Sequence, residues 1–247
     1  MKKRFAALLC AVLVLATLLS ACGEGDPLAA FAIRHGSRDE KKVALTVDDS
    51  FDLEWTWKIR DLFREYGVVG TFFPIGKQIH QDDGEEWRKI LEYGNEIGSH
   101  NYGHYKMGPS PIWTSISALG RTQQALDAAL GYHYQIQVFR PPFGNITDAQ
   151  GNGKNFRKAV EMFGYEHVIL WDVSQTDPEK AIDKVQNGSI LLYHARKKDH
   201  NCLEQLIPRL LEEGYELVTV SQLLDLGENE TGEALYVYRK EDYGAGK

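Results

Sequence analysis

One unit recurs along this chain and limits its fold more than any other feature: a short apolar run, a loop, an amphipathic helix, and a glycine before the next run. The runs fall at residues 43–47, 68–73, 96–99, 136–139, 167–170, 189–193 and 217–220. Parallel neighbours in a sheet need a crossover of a dozen or more residues, usually a helix, so seven strands alternating with helices imply a parallel sheet. Several runs are almost continuously apolar, as strands covered on both faces are. The helices are legible as stripes. Trp55, Ile59, Leu62, Phe63 and Tyr66 precede Gly67, and Ile112, Ile116, Leu119, Leu126 and Leu130 follow Ser110-Pro111 and precede Gly131. Leu203, Leu206, Ile207, Leu210 and Leu211 precede Gly214, with Pro208 expected to kink the helix. Two shorter helices are expected around residues 87–91 and 156–163, before Gly94 and Gly164. The fold expected is an α/β distorted barrel of about seven parallel strands in a single domain. An open doubly wound sheet is the second choice, weakened because no glycine-rich phosphate loop follows the first strand.

The two ends of the chain stand outside this pattern. Lys2, Lys3 and Arg4 precede an apolar run over residues 5–19, shorter than the roughly 20 residues that span a bilayer, which reads as an export signal. Leu19-Ser20-Ala21-Cys22 resembles the bacterial lipobox, so residues 1–21 are expected to be removed and Cys22 to become a lipidated N-terminus. The domain would then be exported and held at the outer face of the cytoplasmic membrane. Residues 22–40 read as a flexible tether, 41–226 as the catalytic domain and 227–247 as a polar tail with one possible strand over 235–238. Of the other cysteines, Cys10 lies in the signal and Cys202 is alone, so no disulfide framework is expected. Loss of the signal removes three cations and no acids, leaving 25 Lys and Arg against 35 Asp and Glu, a formal charge of −10. That balance argues against nucleic acid as a partner.

The reactive side chains sit just after strands. Asp48 and Asp49 follow the first, His100 and His104 the third, Arg140 the fourth, Trp171 and Asp172 the fifth, and His194 the sixth. In a β/α barrel these ends share one rim, where active sites lie. Each group alone has an ordinary explanation: a helix cap, solvated loop histidines, a surface arginine or a core histidine. Their placement at successive strand ends points instead to one pocket. Neighbouring side chains on a strand point opposite ways, so the two aspartates are expected to divide the work, one binding a metal and one facing the substrate. Two imidazoles and one carboxylate leave coordination positions open, as catalytic metal sites do. The free carboxylate can take a proton from water, and His194 can give one to a leaving nitrogen.

Five motifs in order resemble the polysaccharide deacetylases with a NodB homology domain, also called carbohydrate esterase family 4, from about Lys42 to Leu226. Leu45-Thr46-Val47-Asp48-Asp49-Ser50 resembles T-F-D-D-G, which implies Asp48 as general base and Asp49 as metal ligand. Ser99-His100-Asn101-Tyr102-Gly103-His104 resembles H-S/T-x-x-H, which implies two metal histidines. Phe139-Arg140-Pro141-Pro142-Phe143 is similar to R-x-P-F/Y, whose arginine orients the base while a nearby backbone N–H helps hold the oxyanion; Phe143 is expected at the substrate. Leu192-Tyr193-His194 resembles L-x-H, with His194 as general acid and Leu192 lining the acetyl pocket. Departures occur at Val47, Ser50 and Asn101. The D-x-x-D-W motif is represented by Ser174, Asp177 and Pro178, which leaves Asp177 to tune His194 and removes one wall of the acetyl pocket; Trp171 or Trp55 is expected to fill the space.

The resemblance implies one divalent metal, zinc first and cobalt or manganese next, and a monomeric hydrolase of N-acetyl groups on a cell-surface amino-sugar polymer such as peptidoglycan or an exopolysaccharide. An O-acetyl esterase or cyclic-amide hydrolase on the same fold stays open, as do a two-histidine, one-carboxylate iron oxygenase and a non-catalytic glycan-binding lipoprotein.

Overall fold

The computed structural model describes residues 31–165 and 167–232. At its centre lies β2 (Lys42–Asp49), and β1 (Ala32–Ile33) precedes it. The other strands are β3 (Thr71–Pro74), β4 (Glu96–Ile97), β5 (His133–Tyr134), β6 (Val138–Phe139), β7 (His167–Ile169), β8 (Ile190–His194), β9 (Glu216–Val218) and β10 (Thr231–Gly232). Hydrogen-bonded order runs β4-β3-β2-β8 in one parallel group and β1-β7-β6 in another. Two isolated parallel bridges join the groups, Ser99↔Phe139 beyond β4 and Val173↔Leu191 beyond β7. The sheet therefore closes into a ring. All seven expected runs contain a strand of this barrel, and the doubly wound alternative is excluded.

The closure is uneven, which is what distorts the barrel. Where β2 and β3 splay, β9 fills the gap: Ala44 pairs with Ile190 on one side and Val218 on the other. Where β7 and β8 splay, β1 does the same, pairing Ile33 with Ile169 while His35 bridges Ser189. Within the expected tether of residues 22–40, Ala32–Ile33 and His35 already pair with the sheet. At the other end β10 pairs antiparallel with β5, so part of the polar tail is also built in. The signal, Cys22, the start of the tether and the alternation over 235–238 lie outside the described residues. Among the described residues no helix is long and apolar enough to cross a membrane.

The helices follow their stripes. They are α1 (Leu53–Glu65), α2 (Gly84–Glu92), α3 (Ile112–Leu130), α4 (Lys154–Phe163), α5 (Pro178–Ile182), α6 (Lys197–Glu212) and α7 (Val220–Leu224). Asp52 caps α1 through the Glu54 N–H. Ser110, in contrast, bonds back to the Lys106 carbonyl, and α3 starts after Pro111 without a side-chain cap. Pro208 sits inside α6, where its missing N–H frees the Glu204 carbonyl; the Tyr66 hydroxyl donates to that oxygen at 3.4 Å.

Strand alternation divides the core into two. Val43, Leu45 and Val47 of β2 pack outward with the helices, in the larger apolar cluster. Ala44 joins Phe73, Val138, Ile169, Ile190 and Val220 in a second cluster that plugs the barrel interior. Thr46 and Asp48 follow Ala44 on the same inward face, so the lumen passes from apolar to polar toward the strands' C-terminal ends. That gradient sets the place of the site.

Candidate active site

Arg140 is the pivot of the polar lumen. Its side chain is fully buried, and one Nη donates to Thr46 Oγ1 at 2.6 Å and to Asp48 Oδ1 at 2.8 Å. Nε and the other Nη reach the Ile169 and Leu170 carbonyls at 3.3 and 3.1 Å, and the guanidinium lies 4.3 Å from the Phe73 ring centre. Thr46 can accept because its own hydroxyl proton goes to the Leu191 carbonyl at 2.7 Å. Burial pushes the Arg140 pKa down and Asp48 opposes it; a guanidinium stays charged under such a shift. Asp48 is thus a buried carboxylate held in one orientation by a buried cation.

Beside it, Asp49, His100 and His104 bring one ligand atom each to within 4.8 Å of one another. Asp49 Oδ1 stands 3.4 Å from His100 Nε2 and 3.1 Å from His104 Nε2, yet it is a buried oxygen that accepts no aligned hydrogen bond. The tautomer explains why. His100 Nδ1 is 2.8 Å from the Arg140 carbonyl, which can only accept, so Nδ1 carries the proton and the Nε2 lone pair faces Asp49. A carboxylate oxygen facing an imidazole lone pair needs a cation between them. This donor set fits a borderline divalent ion such as zinc.

The two aspartates do not diverge as ideal strand alternation requires. Asp48 Oδ2 and Asp49 Oδ1 lie 3.8 and 3.4 Å from the same His100 nitrogen. The cause is local: Asp49 has φ 77° and Ser50 φ 54°, so the strand ends in a left-handed turn that swings Asp49 into the site. Asn101 (65°), His104 (53°) and Phe143 (61°) are also left-handed; among the described residues other than glycine only Asp225 shares this conformation without lying in these three loops. Strain of this kind, costing about 1–3 kcal/mol per residue, collects where a site over-determines its backbone.

His194 closes the cluster from β8, its Nε2 3.9 Å from Asp49 Oδ2. Burial lowers its pKa, while Asp48 and Asp49 pull the other way. Leu192 is buried beside Thr46 on the same inward face. Phe143 is 60% exposed with its ring 4.6 Å from that of His104. Trp171 packs against Gly144, next to Phe143, and lies 5.8 Å from the Arg140 guanidinium. Trp55 instead meets His200 edge to face and lies under the Lys58 ammonium, so of the two tryptophans it is Trp171 that borders the site.

Asp177 is not brought to His194. It caps α5 by accepting the Glu179 and Lys180 N–H groups, and it pairs with the Lys180 ammonium at 3.3 Å. Proline at the first helical position favours that cap, so Asp177-Pro178 reads as a helix start. The carboxylate near His194 belongs to Asp199, and the aromatic facing His104 from the first loop is Phe51, 55% exposed at 5.4 Å. Sequence reasoning missed both; the available signals were an acid in the first turn of the helix after His194 and an aromatic directly after the aspartate motif.

Residues 35–168 match the family model described as polysaccharide deacetylase, a stretch that carries Asp48, Asp49, His100, His104 and Arg140. The chain belongs to the polysaccharide deacetylase family. Among its relatives is the peptidoglycan-N-acetylglucosamine deacetylase of Bacillus cereus, 30% identical over 205 residues, covering 75% of this chain and 89% of the relative. The peptidoglycan-N-acetylmuramic acid deacetylase PdaC of Bacillus subtilis is 29% identical over 195 residues, covering 75% of this chain but only 39% of the relative. In structure, a mutant of a family 4 carbohydrate esterase pseudoenzyme with restored enzymatic activity superposes with a TM-score of 0.69 at 25% identity, covering 80% of this chain and 72% of that one. The barrel is therefore the fold of this deacetylase family.

Proposed function

We propose that the protein is a metal-dependent deacetylase that hydrolyses N-acetyl groups on a cell-surface amino-sugar glycan, with peptidoglycan as the leading substrate. The observation that carries this is the orphaned Asp49 Oδ1 facing two imidazoles, one rim position away from the Arg140-held carboxylate of Asp48. Asp49, His100 and His104 would hold the divalent ion, zinc first and cobalt or manganese next. When bound, it supplies a Lewis acid that polarises the acetyl carbonyl and makes water more acidic. Asp48 takes the proton of the attacking water on Oδ2, which faces His100, while Arg140 holds the carboxylate by its other oxygen, Oδ1. His194 gives a proton to the leaving nitrogen, so the amide and water become a free amine and acetate. Leu192 and Trp171 bound the acetyl group, and the exposed rings of Phe51 and Phe143 offer apolar faces to a sugar.

Two relatives bear peptidoglycan in their names, which supports a wall glycan and an exported enzyme; we read Cys22 as its lipid anchor at the outer face of the membrane and the chain as a monomer. A second reading, an O-acetyl esterase on the same site, draws on one observation: Asp177-Pro178 starts a helix, so the family's tryptophan wall is absent there. Acetate release from peptidoglycan and from N-acetylglucosamine oligomers, measured beside an O-acetylated glycan, separates the two. Asp48→Asn is expected to keep its metal and lose acetate release; wild-type turnover in that variant would remove Asp48 from the base role.

A further inference from the structure

We propose that Asp199, from the first turn of α6, is the positioning residue that orients His194, filling the place that the family pattern gives to the aspartates at positions 174 and 177. This rests on His194 being the proton donor. The side chain of Asp199 is 1% exposed, and its two oxygens divide between neighbours. Oδ1 accepts the His194 backbone N–H at 3.1 Å and stands 3.9 Å from His194 Nδ1. Oδ2 accepts from Arg196 Nε at 3.1 Å. On the far side of the same ring, Nε2 is 3.9 Å from Asp49 Oδ2. The imidazole is thus strung between two carboxylates, one beneath it and one in the site.

That arrangement selects a tautomer. With Nδ1–H turned to Asp199, Nε2 faces the site and is the nitrogen that takes up and gives back a proton there. The 3.9 Å separation is an ion-pair distance, of the kind that shortens to a hydrogen bond when substrate completes a site. The charged groups that face His194 are Asp48, Asp49, Arg196 and Asp199. Asp48 is held by Arg140 and Asp49 lies among the metal ligands, which leaves Asp199 for Nδ1. An acid at the third position of α6 also suits the helix N-terminus, but a solvated carboxylate would serve that purpose. Full burial of the charge is costly unless it is matched by fixed donors, and the donors here are His194 itself and the residue two positions on. Asp177, half exposed and occupied with the start of α5, contributes nothing comparable.

Asp199→Asn in the full-length protein tests this, since asparagine keeps the shape and an acceptor for the His194 N–H but loses the charge. The expected result is a kcat about 30- to 100-fold lower on acetylated glycan, with KM within about threefold and metal content unchanged. Nitrogen-15 spectra of the histidines should show His194 as the Nδ1–H tautomer in the wild type and a shift toward Nε2–H in the variant. A helix-capping role alone would lower the melting temperature while leaving kcat and the tautomer where they were, and that outcome overturns the proposal. So does a wild-type His194 in the Nε2–H form, a measurement that needs no variant. If the wild type releases no acetate from any glycan, it is the deacetylase reading that fails, and the tautomer comparison still decides the role of Asp199.

Discussion

Replacing Arg140 by methionine should expose how the site is held in the barrel. The change removes a fully buried guanidinium and strands its acceptors: Asp48 Oδ1, Thr46 Oγ1 and the Ile169 and Leu170 carbonyls. The largest part of the cost is Asp48, whose side chain is 4% exposed and would be left as an uncompensated buried charge. Breaking a buried pair from one side costs about 3–5 kcal/mol, a large share of the roughly 5–15 kcal/mol that stabilises an ordinary domain. Adding Asp48→Asn to Arg140→Met removes that stranded charge. The double variant should therefore be at least about 2 kcal/mol more stable than the sum of the single changes allows. Urea unfolding of the wild type, both single variants and the double variant gives the coupling directly. Single-variant losses that simply add, within about 0.5 kcal/mol, would refute the claim that Arg140 acts chiefly by neutralising and orienting Asp48.

Two further outcomes follow from buried groups away from that pair. Glu96 lies at the base of the barrel, accepting from the Thr71 hydroxyl at 2.8 Å and the Ser221 N–H at 3.1 Å and meeting the Ser221 hydroxyl, and burial raises its pKa against those hydrogen bonds. A carboxyl whose native pKa is raised keeps its proton where the unfolded chain has lost it. Stability therefore falls as pH climbs from the unfolded value, about 4.3, to the native one, and is level beyond. Glu96→Gln has no such slope, so urea midpoints across that range should rise relative to wild type; parallel curves would contradict the assignment. Ser50 holds φ 54° with its hydroxyl buried and unpartnered, so Ser50→Gly should raise stability by about 0.5–1 kcal/mol, read as a melting shift, with acetate release retained.

Much of the barrel was legible because each of its strands is announced twice, by an apolar run and by the stripe of the helix that returns the chain. The filler strand β1 was not. Ala32–Ile33 is too short to show periodicity, and it is a strand only because β7 and β8 leave backbone groups that it can satisfy. That Asp48, Asp49, His100, His104, Arg140 and His194 come together in one candidate site was legible from their placement at strand ends. What the pattern could not show was the left-handed turn at Asp49 and Ser50, which lets adjacent carboxylates share a site against strand alternation. Asp177 illustrates the opposite error. Its position in the motif suggested tuning of His194, while the proline that follows makes it a helix cap. Asp199 reaches His194 because α6 begins three residues after β8 ends, and its only mark in the sequence was an acid in the first turn of that helix.

The central claim is that Asp49, His100 and His104 hold a divalent ion on which deacetylation depends. Zinc titrated into chelator-stripped protein, with acetate release from N-acetylglucosamine oligomers followed at each addition, tests it most directly. Activity should be absent in the stripped protein and return in proportion to zinc up to one ion per chain, with His104→Ala showing neither tight binding nor recovery. Full acetate release from the stripped protein, or stoichiometric zinc binding by His104→Ala, would contradict the account.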